Sequence, residues 1–288
     1  MTNNYHGMKD TMDGRHVPMT SLRSGKGEEL LPDLYSFTNQ IVNLCLVGNH
    51  SDDWVLVDTG MPGSADTILK EVEERFGKGS KPKAIILTHG HFDHVGAVVD
   101  LVEKWDVPVY AHEAELPYLT GKLAYPEPDS SVEGGLVAKM SRFFPNEPVD
   151  LGNHVLALPA DGSIPFMPEW KWLHTPGHSP GHVSLFRRKD RSLIVGDAFV
   201  TVRQDALYKV LVQKQEVHGP PRYYTTNWDQ AFASVKKLQG LNPEVAVTGH
   251  GTPMTGQELE LGLRALVENF EQAAVPDHGR FLKRENDR

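Results

Sequence analysis

Apolar and polar positions come in blocks along the chain, and the blocks predict strands and helices in turn. Leu34-Tyr35-Ser36-Phe37 and Ile41–Val47 read as strands, with Asn49–Asp53 as the turn that follows. Trp54–Val57 is a further strand, ending on Asp58-Thr59-Gly60. Ser64 stands where a helix needs its cap, Ile68, Leu69, Val72 and Phe76 share one face, and Gly77 closes it. Ala84–Leu87 is short and wholly apolar, as a strand buried on both faces requires, and it delivers the chain to His89. A second helix is predicted from about Asp93 through Val98, Leu101 and Val102, after which Val107–Ala111 returns as a strand.

The rhythm then breaks. Residues 116–148 hold several Pro and Gly with scattered apolar groups (Tyr118, Leu119, Tyr125, Met140, Phe143, Phe144). An insertion of this length is functional or disordered, and its apolar content predicts an ordered cap over the site, with disorder as the alternative. The second half resumes with strand-like runs at Val155–Leu158, Val183–Phe186, Leu193–Val195 and Val245–Val247. Asn227 with Gln230, and Thr255 with Glu258, form capping-box pairs. The first precedes a helix with Phe232, Val235 and Leu238 inward, the second one bearing Leu259, Leu263, Leu266 and Phe270. Two halves, each of strands then helices, predict two sheets packed face to face with helices outside. The organisation expected is a polar arm over 1–30, one domain over 31–275 with the cap inside it, and a tail over 276–288.

Composition narrows the partners. Asp and Glu outnumber Lys and Arg by 38 to 29, for a formal charge of −9, and no basic cluster precedes the mixed tail Lys283–Arg288. Nucleic acid is therefore not expected as a partner. No run reaches the ~18 apolar residues of a membrane span, so no membrane partner is expected. Cys45 is the only cysteine, and the first residues are polar; a cytoplasmic location is expected.

The 14 histidines change the picture. His89-x-His91-x-Asp93-His94 places four metal-ligating groups within six residues, directly after a buried strand. Imidazoles suit zinc and related ions, and a carboxylate adds charge for a second cation nearby. Other strand-like runs end on Asp58, Asp197 and His250, while His178 lies in the turn Thr175–Gly181. Loops held at strand ends are where rigid scaffolds carry function.

Thr88-His89-Gly90-His91-Phe92-Asp93-His94 resembles the signature of the metallo-β-lactamase superfamily. Asp58-Thr59-Gly60, Pro176-Gly177-His178, Gly196-Asp197 and Gly249-His250 match its further motifs in order, over about Leu34 to Met254. The resemblance implies an α/β fold, an αββα sandwich of two mixed β-sheets flanked by helices, with two divalent ions at one edge. It implies that His89, His91 and His178 bind the first ion, that Asp93, His94 and His250 bind the second, and that Asp197 bridges. His91 stands where the flavodiiron branch has Glu, which points to zinc, with manganese and iron as alternatives. Asp197 stands where common zinc β-lactamases have Cys, which argues against lactam hydrolysis.

The activity implied is hydrolysis of a small molecule's ester-like bond (lactone, thioester or ester) by a metal-bridging hydroxide, with Asp93 as proton donor. Small-molecule phosphodiesterase and mononuclear-iron sulfur dioxygenase are the alternatives. Glyoxalase II-like enzymes append a helical domain, and only 38 of the 288 residues follow His250, so glutathione-thioester cleavage ranks lower. Asp58 reads as the acceptor that orients a ligating imidazole, or as a turn Asp bonding its own backbone. His182 is placed to orient the His178 loop, and His112 reads as structural. His154, His174 and His218 are minor candidates for substrate contact, whereas His6, His16, His50 and His278 are assigned no role. Arg222, Tyr223 and Tyr224, after a Pro pair, are candidates for substrate contact, or for packing in a surface loop.

Overall fold

The computed structural model describes residues 8–10, 12, 20–133, 135–141, 144, 146, 148–202 and 216–282. Phe143, His6, His16 and the tail Lys283–Arg288 lie outside the described residues. The chain divides into two compact units, residues 1–125 with 145–172, and residues 126–144 with 173–288.

The first unit is built on a seven-stranded mixed sheet in the order β1-β2-β3-β4-β5-β6-β7. Its strands are β1 Lys26–Leu31, β2 Leu34–Asn39, β3 Val42–His50, β4 Asp53–Val57, β5 Ile85–Ile86, β6 Val109–Ala111 and β7 Val155–Ala157. β1 to β4 pair antiparallel, and β4 to β7 pair parallel. Two expectations need correcting here. The lead-in is not all loose arm, because Lys26–Leu31 is an edge strand on β2 and Met12 is buried. Val155–Ala157 joins this first sheet beside β6 rather than opening the second half.

The helices of this unit are α1 Ala65–Phe76, α2 Phe92–Val95, α3 Val98–Trp105 and α4 Leu116–Leu119. Trp54 of β4 stacks on Phe76 of α1 at 4.8 Å and meets Trp105 of α3 edge-on at 6.0 Å. Large aromatic area thus ties sheet and helices together. Ser64 precedes α1 but does not cap it with its side chain; its hydroxyl donates to Asn39 Oδ1 at 2.6 Å. The single helix expected from Asp93 is two helices. A Cβ on Gly96 would lie 2.2 Å from the Met61 carbonyl carbon, so the break sits where two backbones touch.

The second unit holds a five-stranded mixed sheet in the order β12-β11-β10-β9-β8. Its strands are β8 Trp170–His174, β9 Val183–Arg187, β10 Ser192–Gly196, β11 Val245–Thr248 and β12 Met254–Thr255. α5 Gly135–Met140, α6 Trp228–Gln239, α7 Gly256–Glu268 and α8 Phe270–Ala273 complete it. Leu193, Val195, Val235, Leu238, Leu259 and Leu263 belong to one buried cluster.

The Asn227 side chain accepts from Gln230 N as expected, but Thr255 makes no side-chain cap. Phe232 is 37% exposed, resting 5.1 Å from Phe270, while Trp228, Ala231 and Ser234 fill the inward face. The C-terminal segment is not a free tail through its described part. Arg280 N–H donates to Asp129, Asp277 N–H donates to Glu133 at 2.9 Å, and His278 pairs with Glu133.

Candidate metal centre

In the first unit the parallel strands β4 and β5 end side by side, and their C-terminal ends carry Asp58 and His89. Asp58 has φ 61, a left-handed conformation that Asp tolerates better than most residues. That turn aims its carboxylate back into the protein. Oδ1 accepts from Thr88 N–H at 2.8 Å; Oδ2 accepts from the Thr88 hydroxyl at 2.8 Å and faces His94 Nδ1 at 2.7 Å.

A buried carboxylate at that distance fixes the proton on Nδ1 and leaves Nε2 of His94 with a lone pair. Because the Thr88 hydroxyl donates to Asp58, its oxygen is left to accept from His89 Nδ1, 3.0 Å away. His89 Nε2 is then a second lone-pair donor. The alternative of a turn Asp bonded only to its own backbone does not hold.

His89, His91, Asp93 and His94 are all buried, at 0%, 5%, 7% and 0% exposure. Potential donor atoms of His89 lie within 4.8 Å of those of His91 and His94, as do those of Asp93 and His94. The His89 ring stands perpendicular to His91 at 4.7 Å and tilted to His94 at 4.2 Å.

In the second unit Gly196 of β10 and Thr248 of β11 are parallel register partners, so Asp197 and His250 emerge at one sheet edge. The Thr175–Pro180 turn brings His178 there. Gly177 has φ 129, and a Cβ on it would lie 2.3 Å from Ala231 N, so only glycine fits beside α6. Asp197 Oδ2 lies 3.5 Å from His178 Nε2 and 3.3 Å from His250 Nε2.

His182 accepts from the Asp197 backbone N–H through Nε2 at 2.8 Å, which leaves its Nδ1–H to donate to Thr175 Oγ1 at 2.9 Å. It therefore holds the Asp197 backbone rather than only the His178 loop. The Thr225 hydroxyl donates to Pro221 O at 2.8 Å and faces His178 Nδ1 at 3.3 Å, which turns Nε2 of His178 toward Asp197.

The donor chemistry fits divalent ions. Buried imidazoles with assigned lone pairs, together with two buried carboxylates, are the nitrogen and oxygen set that zinc, iron and manganese accept.

Sequence reasoning overlooked Glu115, Tyr125, Thr175 and Thr225, whose contacts join residues without regular spacing. Of the two readings of Arg222, substrate contact and packing in a surface loop, the bonds favour the second: its guanidinium donates to the Ala274 carbonyl at 2.8 Å and the Ala273 carbonyl at 3.1 Å, closing the end of α8. Tyr223 and Tyr224 are buried; Tyr224 stands edge-on to His178 at 6.3 Å and Tyr223 edge-on to Phe144 at 5.9 Å. His112 caps the short 3₁₀ turn after β6, accepting from Ala114 N–H at 3.2 Å, as a structural histidine would. His174 meets the Pro180 carbonyl at 2.9 Å, and His218 meets Gly219 O at 3.4 Å.

A family model described as the metallo-beta-lactamase superfamily matches residues 38–250. The chain belongs to the metallo-β-lactamase superfamily. It has that family's two mixed β-sheets with flanking helices, and it is an enzyme of the metallo-hydrolase kind.

Among its relatives is the probable metallo-hydrolase YflN of Bacillus subtilis (strain 168), 50% identical over 90% of this chain and 99% of that one. The hydroxyacylglutathione hydrolase GloC of Haemophilus influenzae (strain ATCC 51907 / DSM 11121 / KW20 / Rd) is 26% identical over 75% of this chain and 89% of its own. The crystal structure of TTHA1623 in a di-iron-bound form superposes with a TM-score of 0.51 at 31% identity, covering 80% of this chain and 94% of that one. No helix among the described residues is long and apolar enough to cross a membrane.

Asp58→Asn keeps the left-handed turn and removes the charge behind His94. Metal affinity, measured by competition with a chromogenic chelator, is expected to fall ~10–100-fold. Unchanged affinity would show that Asp58 serves the backbone alone.

Proposed function

We propose that this enzyme hydrolyses an ester-like bond of a small molecule, a lactone, thioester or ester, using two divalent ions. His89, His91 and His178 would hold the first ion, Asp93, His94 and His250 the second, with Asp197 shared between them. The observation that carries this reading is the hydrogen bonding behind His89, His94 and His178. Each has its Nδ1 against a hydroxyl or carboxylate, which leaves Nε2 to ligate.

Such ions, when bound, supply a nucleophilic water near neutral pH and polarise a carbonyl. The chain's own part is to fix the imidazole tautomers, keep the donors out of bulk water, and carry a proton on Asp93 to the departing oxygen or sulfur.

Zinc is the ion proposed, supported by His91 at the middle position of the first motif. Iron is the main competitor, given the di-iron form of TTHA1623. Glutathione thioesters regain standing beside lactones, because GloC aligns over 89% of its own length with this chain. A matched relative therefore needs no large appended domain. The formal charge of −9 supports a small molecule over nucleic acid, and Cys45, buried and unbridged, supports a cytoplasmic setting.

The test is a panel of lactones, thioesters, simple esters and phosphodiesters, run on zinc-, manganese- and iron-loaded protein with metal counted per chain. Turnover of an ester-like member with about two ions per chain is expected. Turnover confined to phosphodiesters, or oxygen uptake at one iron per chain, would replace the reading.

A further inference from the structure

Glu115 is fully buried, yet it belongs to no motif and to none of the proposed metal shell. A buried carboxylate is costly unless it is hydrogen-bonded, so its partners indicate its use. β6 runs parallel to β5, and the 3₁₀ turn Glu113–Glu115 follows β6 just as the His89 loop follows β5. There the Glu115 carboxylate accepts from the backbone N–H of Gly90 at 3.0 Å and from the hydroxyl of Tyr125. The same Gly90 N–H also lies 3.0 Å from the Tyr125 oxygen.

Gly90 is the single residue between His89 and His91. A Cβ on it would lie 2.7 Å from the Tyr125 hydroxyl, so this approach requires glycine. The Tyr125 ring lies 4.5 Å from the His91 ring and stacks on Tyr118 at 4.1 Å, nearly parallel at 5°.

We propose that Glu115 and Tyr125 are positioning residues that clamp the Gly90 amide and the His91 ring, and so set the presentation of His89 and His91 to a metal ion. The inference rests on the metal-binding function proposed above. Glu115 fixes the backbone between the two histidines, and Tyr125 links that bond to the flank of His91. Neither residue touches the reacting atoms. The clamp acts as Asp58 does for His94, but through backbone and ring packing rather than through an imidazole nitrogen.

The test uses the full chain loaded with cobalt(II), read by its visible ligand-field spectrum and by chelator competition, with amide exchange at Gly90 and His91 measured on the metal-free protein. Tyr125→Phe keeps the ring and removes the hydroxyl. It is expected to speed Gly90 exchange at least ~10-fold, weaken cobalt binding ~10–100-fold and shift the spectrum. Glu115→Gln should retain more affinity than Glu115→Ala, since a carboxamide oxygen still accepts from Gly90. Tyr118→Phe, which keeps the stacked ring, should leave spectrum and affinity unchanged.

If Glu115→Ala fails to fold, Tyr125→Phe decides the matter alone. Wild-type spectrum and affinity in Tyr125→Phe would overturn the clamp while leaving the metal function standing. A wild-type protein that takes up no cobalt would overturn both.

Discussion

Asp197→Ala is expected to empty both proposed metal positions at once, taking metal content from about two ions per chain toward none and lowering kcat/KM by at least ~10³-fold. The reason lies in where its carboxylate sits. Oδ2 sits 3.5 Å from His178 Nε2 and 3.3 Å from His250 Nε2, imidazoles assigned to different ions. Removing it would take away a carboxylate that both proposed positions would share. What would remain in the second unit is two neutral imidazoles, and these do not offset the cost of dehydrating a dication.

The fold should survive, because the bond from Asp197 to His182 Nε2 is made by backbone N–H and persists in alanine. The metal-free variant should therefore melt near the metal-free wild type. The rise in Tm that metal gives wild type, by binding the native state alone, should vanish. Elemental analysis with unchanged metal content would remove the shared role, and loss of only one ion would assign Asp197 to a single position.

The ligand set proposed here is what the family resemblance implies, while the positions at strand ends are legible in the chain for a topological reason. Parallel strands with wholly apolar cores advertise themselves: Ala84, Ile85, Ile86 and Leu87 are all completely buried, and the residue pair after them begins the donor loop. Once a strand is located, its C-terminal end is located too, and Asp58, His89, Asp197 and His250 stand at such ends.

The elements that escaped notice lack that signature. β8 is Trp170-Lys171-Trp172-Leu173-His174, with only its first residue buried, so neither alternation nor an apolar run marks it. β12 is two residues long, and β1 carries Lys26, Glu28 and Glu29 on a sheet edge. The break between α2 and α3 arises from contact between Gly96 and Met61, 35 positions away, which no local pattern encodes.

The supporting polar groups were hidden for the same reason. Thr225 reaches His178 from 47 residues away, and Glu115 reaches Gly90 from 25. The Pro pair before Arg222 left substrate contact and loop packing equally open, because the carbonyls the guanidinium serves lie more than 50 residues later, at Ala273 and Ala274.

The second large effect is expected at Tyr224, and it concerns choice of substrate rather than chemistry. The proposed metal ions and Asp93 would act on almost any ester-like bond, so discrimination would have to come from groups contacting the part of the substrate that does not react. In the second unit a run of aromatic rings leads away from His178: Tyr224 edge-on at 6.3 Å, then Tyr223 at 5.1 Å from Tyr224, then Phe144 at 5.9 Å from Tyr223. Phe144 belongs to the insertion expected to act as a cap, and Asp129 of that insertion donates its N–H to the Tyr223 carbonyl at 2.7 Å. Asp129 and Phe144 thus pack with the tyrosine loop in one layer beside His178.

An apolar acyl or leaving group lying against that layer would gain up to ~0.8 kcal/mol per methylene buried. Tyr224→Ala removes the tyrosine ring that stands edge-on to His178, and a side chain of that size is worth ~1.5–3 kcal/mol when fully buried, or ~10–150-fold in kcat/KM. The loss is expected for long-chain substrates and not for acetyl esters, with metal content unchanged. Tyr224→Phe should keep the preference, since the contact invoked is the ring. Phe144→Ala, which removes the ring beside both tyrosines, should shorten the chain length at which efficiency stops rising. A Tyr224→Ala enzyme with the full wild-type dependence on chain length would show that selection is made elsewhere.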